Sequence, residues 1–149
     1  MEPLSILRSP PVVGLASLAA QRLLSRGSST SPATSLLGAA VAVAGLGVAA
    51  AGIREIRAAG TTLDPTRPAD ASKVVRQGIY RYSRNPIYLG DALLLAGYAI
   101  HRRDLLAILP VAGFVGVIDT FQVSAEEEAL RDRFGSTYGD YVASVRRWL

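Results

Sequence analysis

The chain has no cysteine and one histidine in 149 residues. Without cysteine there is no disulfide framework, no thiolate nucleophile and no thiolate metal site. The lone His101 excludes a histidine metal cluster, and no serine, cysteine or histidine triad can be assembled. Large aromatics are sparse, with three Phe and one Trp, although half the residues are apolar. Ala, Leu, Val and Gly carry that apolar content, which is the composition of membrane helices whose small residues allow close approach. No glycine-rich dinucleotide fingerprint follows a strand; the one Gly-Leu-Gly, at 45–47, lies inside an apolar run. The formal charge is +4, but the basic residues flank apolar runs instead of lining a soluble face. That excludes nucleic acid as a partner and points to anionic lipid headgroups.

The length fits a single domain over 1–149. Its first part, 1–53, reads as scaffold helices. Arg8 and the Pro10-Pro11 pair precede an apolar run of about fourteen residues to Leu24, short of the roughly twenty that a span needs. Small residues at 16–20 also suit a signal peptide, but the prolines break its boundary and favour a retained helix. Residues 27–32, GSSTSP, form a turn on composition. Ser35 to Ile53 runs nineteen residues without a charge, with Ala39, Gly45 and Gly47 offering small faces to neighbouring helices. Nothing on that run can do chemistry.

The polar stretch 54–84 holds seven of the sixteen Lys and Arg residues, which by the positive-inside rule places it in the cytoplasm. Gly60, Pro65 and Pro68 interrupt any continuous helix there, and residues 71–76 suit a short interfacial turn. Residues 86–100 and 105–121 then make an apolar hairpin of about 22 Å and 25 Å, short of a bilayer core of about 30 Å. Arg102 and Arg103 at its tip can reach headgroups, and Pro110 is expected to bend the returning arm. Four membrane helices follow, roughly 10–24, 35–56, 86–100 and 105–122, in an all-α protein with a cytoplasmic amphipathic helix from Ser124. Both ends of such a chain face the cytoplasm, most simply from the inner (cell) membrane.

Chemistry-bearing residues concentrate in two blocks. In GIYRYSRNPIYLG, 78–90, Pro86 suits the first position of a helix and Asn85 its N-cap. Arg84 stands beside the free N–H groups and positive dipole end of that helix, a place for an anion. Tyr and Arg also collect at membrane interfaces, so an anchor is the plain alternative. In SAEEEALRDRFGSTYGDYVASVRRWL, 124–149, Leu130 and Phe134 share a helical face, Gly135 breaks or caps the helix, and Tyr138, Tyr141, Val145 and Trp148 continue the spacing. Asp91 and Asp119 are the only carboxylates inside apolar segments. Embedded acids mark either a site or a paired structural group, here an ion pair with Arg81 or Arg84. Residue 119 comes out level with Pro86, and Asp91 about one turn deeper.

The order Arg84-Asn85-Pro86, Tyr88, Gly90, then Glu126-Glu127 before Phe134-Gly135 and spaced tyrosines, resembles the integral-membrane methyltransferases. That family includes isoprenylcysteine carboxyl methyltransferase and phosphatidylethanolamine methyltransferase. Gly60 to Pro65, GTTLDP, is similar to a loop of the family, and the resemblance runs from about residue 54 to 149. It implies S-adenosylmethionine as cofactor and a lipophilic acceptor: an isoprenylcysteine-like carboxylate, a phospholipid amine or another membrane-partitioned molecule. On that resemblance Arg84 and the Asn85–Pro86 corner take the cofactor carboxylate. Glu126 and Glu127 accept from its ammonium and ribose, Tyr88, Leu89 and Tyr138 flank adenine, and Gly90 permits close approach. Asn85 stands where the family usually shows His, and it cannot titrate. Asp91 and Asp119 are the groups available to meet the acceptor head or to act as base. A non-catalytic membrane scaffold remains the alternative, and cofactor binding separates the two.

Overall fold

A computed structural model describes residues 9–62 and 68–149. Among these residues the protein is all-α, without strands. The expected Leu63, Asp64 and Pro65 of the family-like loop lie outside the described residues, as does Arg8.

Helix α1 spans Pro10–Leu24, with proline at its first turn as the sequence suggests. It buries Ser17 and Gln21 toward its neighbours. Helix α2, Pro32–Ala59, starts earlier than the charge-free run because Ser31 and Thr34 form a reciprocal cap. It ends at Gly60, whose φ of 67° is left-handed. Helix α3, Pro86–Arg102, returns antiparallel beside it.

Glycines seven residues apart set the α2–α3 seam. A Cβ added to Gly38 would lie 2.4 Å from the Gly97 carbonyl, and one on Gly45 would lie 2.6 Å from that of Gly90. Further along, Gly52 faces Pro86 and Ile87. Backbone therefore packs on backbone, and seven-residue spacing keeps the contact row on one face. Gly47, expected to contribute, faces open space.

After Arg103 at φ 53° and an Asp104-capped 3-10 turn, Leu105–Ile108, the chain rises through α4, Leu109–Val117. Pro110 lies in the first turn of α4 and starts it instead of bending it. A π-helical turn, Ile118–Val123, then leads directly into α5, Ser124–Phe134, and Gly135 separates α5 from α6, Ser136–Ser144. The expected amphipathic helix is thus the end of the fourth helix plus a second, short one.

Two of these helices are long and apolar enough to cross a membrane, Pro32–Ala59 and the continuous run Leu105–Phe134. The expectation of four spans is met by two on length and composition, because α1 and α3 have 15 and 17 residues. Short as they are, both are bound into the bundle. Gln21 Nε2 on α1 donates to the carbonyls of Leu95 and Ala107 at 2.9 Å each, joining three elements at one buried point. Arg102, expected to reach headgroups, instead donates from Nε to Ser25 Oγ at 3.1 Å and from its terminal nitrogen to the Ser25 carbonyl, closing the end of α1.

Two apolar clusters complete the core. Tyr88, Ala92, Leu95, Phe114, Ile118 and Val123 pack between α3 and the fourth helix. Tyr80, Tyr138 and Tyr141 pack at the polar end, with Ile56 and Leu130 against them.

Candidate active site

The polar end is built around the corner before α3. Residues 78–81 form one 3-10 turn, and Gly78, at φ 58°, lies so close to Glu55 that a Cβ would fall 2.5 Å from its carboxyl group. This presses the corner onto the end of α2. Tyr80 is buried there, and its carbonyl accepts from the Tyr141 hydroxyl at 2.8 Å. Residues 83–85 then dock on the segment after α6. Arg84 N donates to the Arg146 carbonyl at 3.0 Å, and Asn85 Nδ2 donates to that of Arg147 at 3.1 Å. Asn85 does occupy the N-cap position of α3, but its side chain makes no cap hydrogen bond because Arg147 engages it.

Arg84 is almost fully enclosed, its side chain 9% exposed. One terminal nitrogen donates to the carbonyls of Val142 and Val145 at 3.3 and 2.6 Å, and the other to Glu127 Oε1 at 2.7 Å. Its Nε is a buried donor without a partner among the described residues. A buried donor left unmatched costs about 1–3 kcal/mol, so this atom is a cost that the corner carries.

The adjacent glutamates divide their tasks. Successive helix positions differ by about 100° around the axis, so Glu126 and Glu127 face different neighbours. Glu127 receives Arg84, Arg131 (3.2 Å) and Arg147 (2.9 Å), and both its oxygens are occupied. Glu126 accepts from the Tyr88 hydroxyl at 2.5 Å and Gln122 Nε2 at 2.7 Å, both through Oε1. Glu128 is exposed, as a solvated residue should be.

Arg84, Asn85, Tyr88, Glu126, Glu127 and Tyr138 all line one cavity of about 150 Å³. Lys73, Tyr80, Tyr141, Thr61 and Thr62 join them. Burial and the nearby Glu127 carboxylate push the Tyr138 phenol up to about 12, which keeps it protonated and able to donate. Burial raises Tyr80 and Tyr141 as well.

Other expected site residues lie elsewhere. Pro86 is buried against Gly52, and Gly90 serves the helix seam against Gly45. Leu89, half-buried, lines neither this cavity nor the next. Asp119 is engaged by Arg147 at 3.0 Å and by Trp148 Nε1 at 2.8 Å, which is the ion-pair alternative with a different arginine. Asp91 instead lines a second cleft, of about 1030 Å³, between α1, α2 and α3. That cleft is walled largely by apolar or small residues such as Leu15, Leu18, Ala42 and Leu94. Its far end carries His101, whose Nδ1 lies 3.0 Å from Ser35 Oγ. Ile87 and Tyr88 line both spaces, so the first turn of α3 is their common wall.

Lys73 and Tyr80 on the cavity wall, and Gln122 and Arg147, which hold Glu126 and Glu127 from outside it, are not evident from the sequence. Tyr80 lies within the aromatic–basic corner and could have been included on that signal. Arg147 and its partners are separated by 20 and 28 residues, with no local pattern linking them.

A family model described as phospholipid methyltransferase matches residues 33–137, more than half of the chain. An uncharacterized protein of Haemophilus influenzae is 40% identical over 63 residues, which are 42% of this chain and 100% of that protein. No solved structure matches.

Proposed function

The chain belongs to the phospholipid methyltransferase family, and from that premise we propose that it methylates the amine head of a membrane-partitioned amphiphile, with S-adenosylmethionine as cofactor. The observation that carries this reading is the shared wall at Ile87 and Tyr88. A polar cavity rich in charge and a larger apolar cleft meet there, as a transfer between a polar cofactor and a lipophilic acceptor requires.

The residues of the polar cavity fit the cofactor. The guanidinium of Arg84 and the ammonium of Lys73, both on the cavity wall, suit an amino-acid carboxylate. Glu126, held by Tyr88 and Gln122 through one oxygen, suits the ammonium or ribose hydroxyls. Tyr80, Tyr138 and Ile56 offer aromatic and apolar surface to a base. Glu127 is assigned to fixing Arg84, since its oxygens are taken by arginines. When bound, the cofactor supplies an electrophilic methyl on a sulfonium.

The cleft favours an amine over a carboxylate acceptor. Among the described residues Asp91 is the only charged side chain lining it, with no Arg or Lys among them to hold an anion. Asp91 takes the proton that an ammonium head must lose before its nitrogen can form a new N–C bond. Excluding water and aligning the reactants accounts for the rest of the rate. Asp119, in its contacts with Arg147 and Trp148, has a structural role.

All four long elements are inserted in this reading, α1 and α3 as short helices carried by their neighbours. The basic stretch before α3 and the polar cavity face the cytoplasm of the inner membrane. The acceptor approaches sideways from the bilayer through the cleft. The test compares amine and carboxylate acceptors carrying tails of graded length, with labelled cofactor. Efficiency should climb severalfold for each few methylenes, at about 0.8 kcal/mol per buried CH₂, and only for the amines. A flat response to length, or best activity without a tail, overturns the lipophilic acceptor.

A further inference from the structure

The end of α6 and the segment following it hold the whole Ser83–Asn85 corner through backbone carbonyls. Arg84 N and its side chain, Ser83 Oγ and Asn85 Nδ2 all donate to carbonyls between residues 142 and 147. The segment is itself fastened by side chains. Arg147 donates from Nε to Glu127 Oε1 at 3.1 Å, from one terminal nitrogen to Glu127 Oε2 at 2.9 Å, and from the other to Asp119 at 3.0 Å. Trp148 adds its indole N–H to Asp119.

We propose that Arg147 is a positioning residue, clasping the 145–148 segment to the π-helical turn and α5 so that the Arg84 side chain is held in place at the wall of the cofactor cavity. Arg84 has two of its three nitrogens committed, one to segment carbonyls and one to the same Glu127 that Arg147 grips. Releasing the segment removes one of the two references that fix the guanidinium and leaves Glu127 alone to hold it. The π-helical turn has a defined part in this, because Asp119 stands within it and supplies the second anchor. Local π-helical geometry inside an α-helix commonly redirects side chains at functional sites. Here it sends Asp119 to the clasp, while Asp91 on α3 remains in the cleft. Arg147 touches neither cavity and acts only through Glu127, Arg84 and the segment backbone.

The proposal rests on the cofactor reading of the polar cavity, and its test separates the two. Full-length protein in detergent is compared as wild type, Arg147→Lys, Arg147→Ala and Asp119→Asn. Three quantities are measured: hydrogen exchange of the Arg84 amide without ligand, the Kd for S-adenosylmethionine, and kcat at saturating cofactor. Arg147→Ala should speed exchange of that amide at least tenfold and raise the cofactor Kd at least tenfold, with kcat within threefold of wild type. Arg147→Lys should recover part of both, since a point charge replaces a two-sided fork. Asp119→Asn should give a smaller loss in the same direction and serves if Arg147→Ala does not fold. Exchange unchanged in the variants overturns the clasp. Faster exchange with an unchanged Kd overturns its positioning role alone. Wild-type protein that binds no cofactor sinks the reading of the cavity and this inference with it.

Discussion

The length of α3 and its N-terminal corner are held by opposite means. Along the α2–α3 seam the contact is made by what is missing: glycines leave backbone against backbone, with carbonyls where a Cβ would have to go. At the N-terminal corner the contact is made by long side chains, with three arginines converging on one glutamate and the Tyr141 hydroxyl on the Tyr80 carbonyl. The first arrangement tolerates no added atom but demands no chemistry. The second tolerates shape changes poorly too, yet its energy lies in paired charges. The comparison teaches that a short helix can be anchored rigidly without length. Its first turn, which separates the polar cavity from the apolar cleft, can then be aimed.

The seam should break most dramatically. Gly45→Leu places a branched side chain where a Cβ already meets the Gly90 carbonyl at 2.6 Å. Overpacking costs about 1–3 kcal/mol where neighbours can shift, and here the neighbour is backbone. Loss of the monodisperse peak on size exclusion in detergent is the expected result. Next comes the charged end. Glu127→Ala leaves Arg84 and Arg147 without their shared carboxylate, and breaking a buried pair costs about 3–5 kcal/mol. Thermal unfolding should fall accordingly and cofactor affinity should fall with it. A variant that kept wild-type stability would show that these arginines are solvated instead of paired.

Asp91→Asn separates chemistry from architecture, since the residue belongs to neither anchoring scheme. Stability and cofactor Kd should remain unchanged, while kcat with an amine acceptor falls about 100-fold or more. An unaffected kcat would remove Asp91 from proton transfer. The smallest effect is expected at Gly47, which faces open space on the same helix as Gly45. Gly47→Ala should change stability within about 0.5 kcal/mol, so the pair Gly45 and Gly47 shows that position, not residue type, matters.

Much of the helix order was readable from hydropathy and punctuation. Pro10, Pro32 and Pro86 each open a helix, and Gly60 and Gly135 each close one. The seam was harder to read, because small residues crowd every face of α2 and only the partner decides which row is used. The site divided similarly. Arg84, Tyr88 and Glu126 lie within short motifs, so sequence spacing brought them together. Asp119 and Asp91 read alike in sequence, as isolated acids in apolar runs. A π-helical turn and a distant Arg147 gave one of them a partner, and neither leaves a local signature. Pro110 misled because the start of α4 depends on the 3-10 turn before it.

In the proposed reading the polar cavity binds S-adenosylmethionine through Arg84. Calorimetric titration of the cofactor into purified wild-type protein and Arg84→Gln, each in detergent and checked for folding, tests it directly. Saturable one-to-one binding by wild type, weakened at least tenfold in Arg84→Gln, is the predicted result. A folded wild-type protein that binds no cofactor, or equal affinity in the variant, would contradict it.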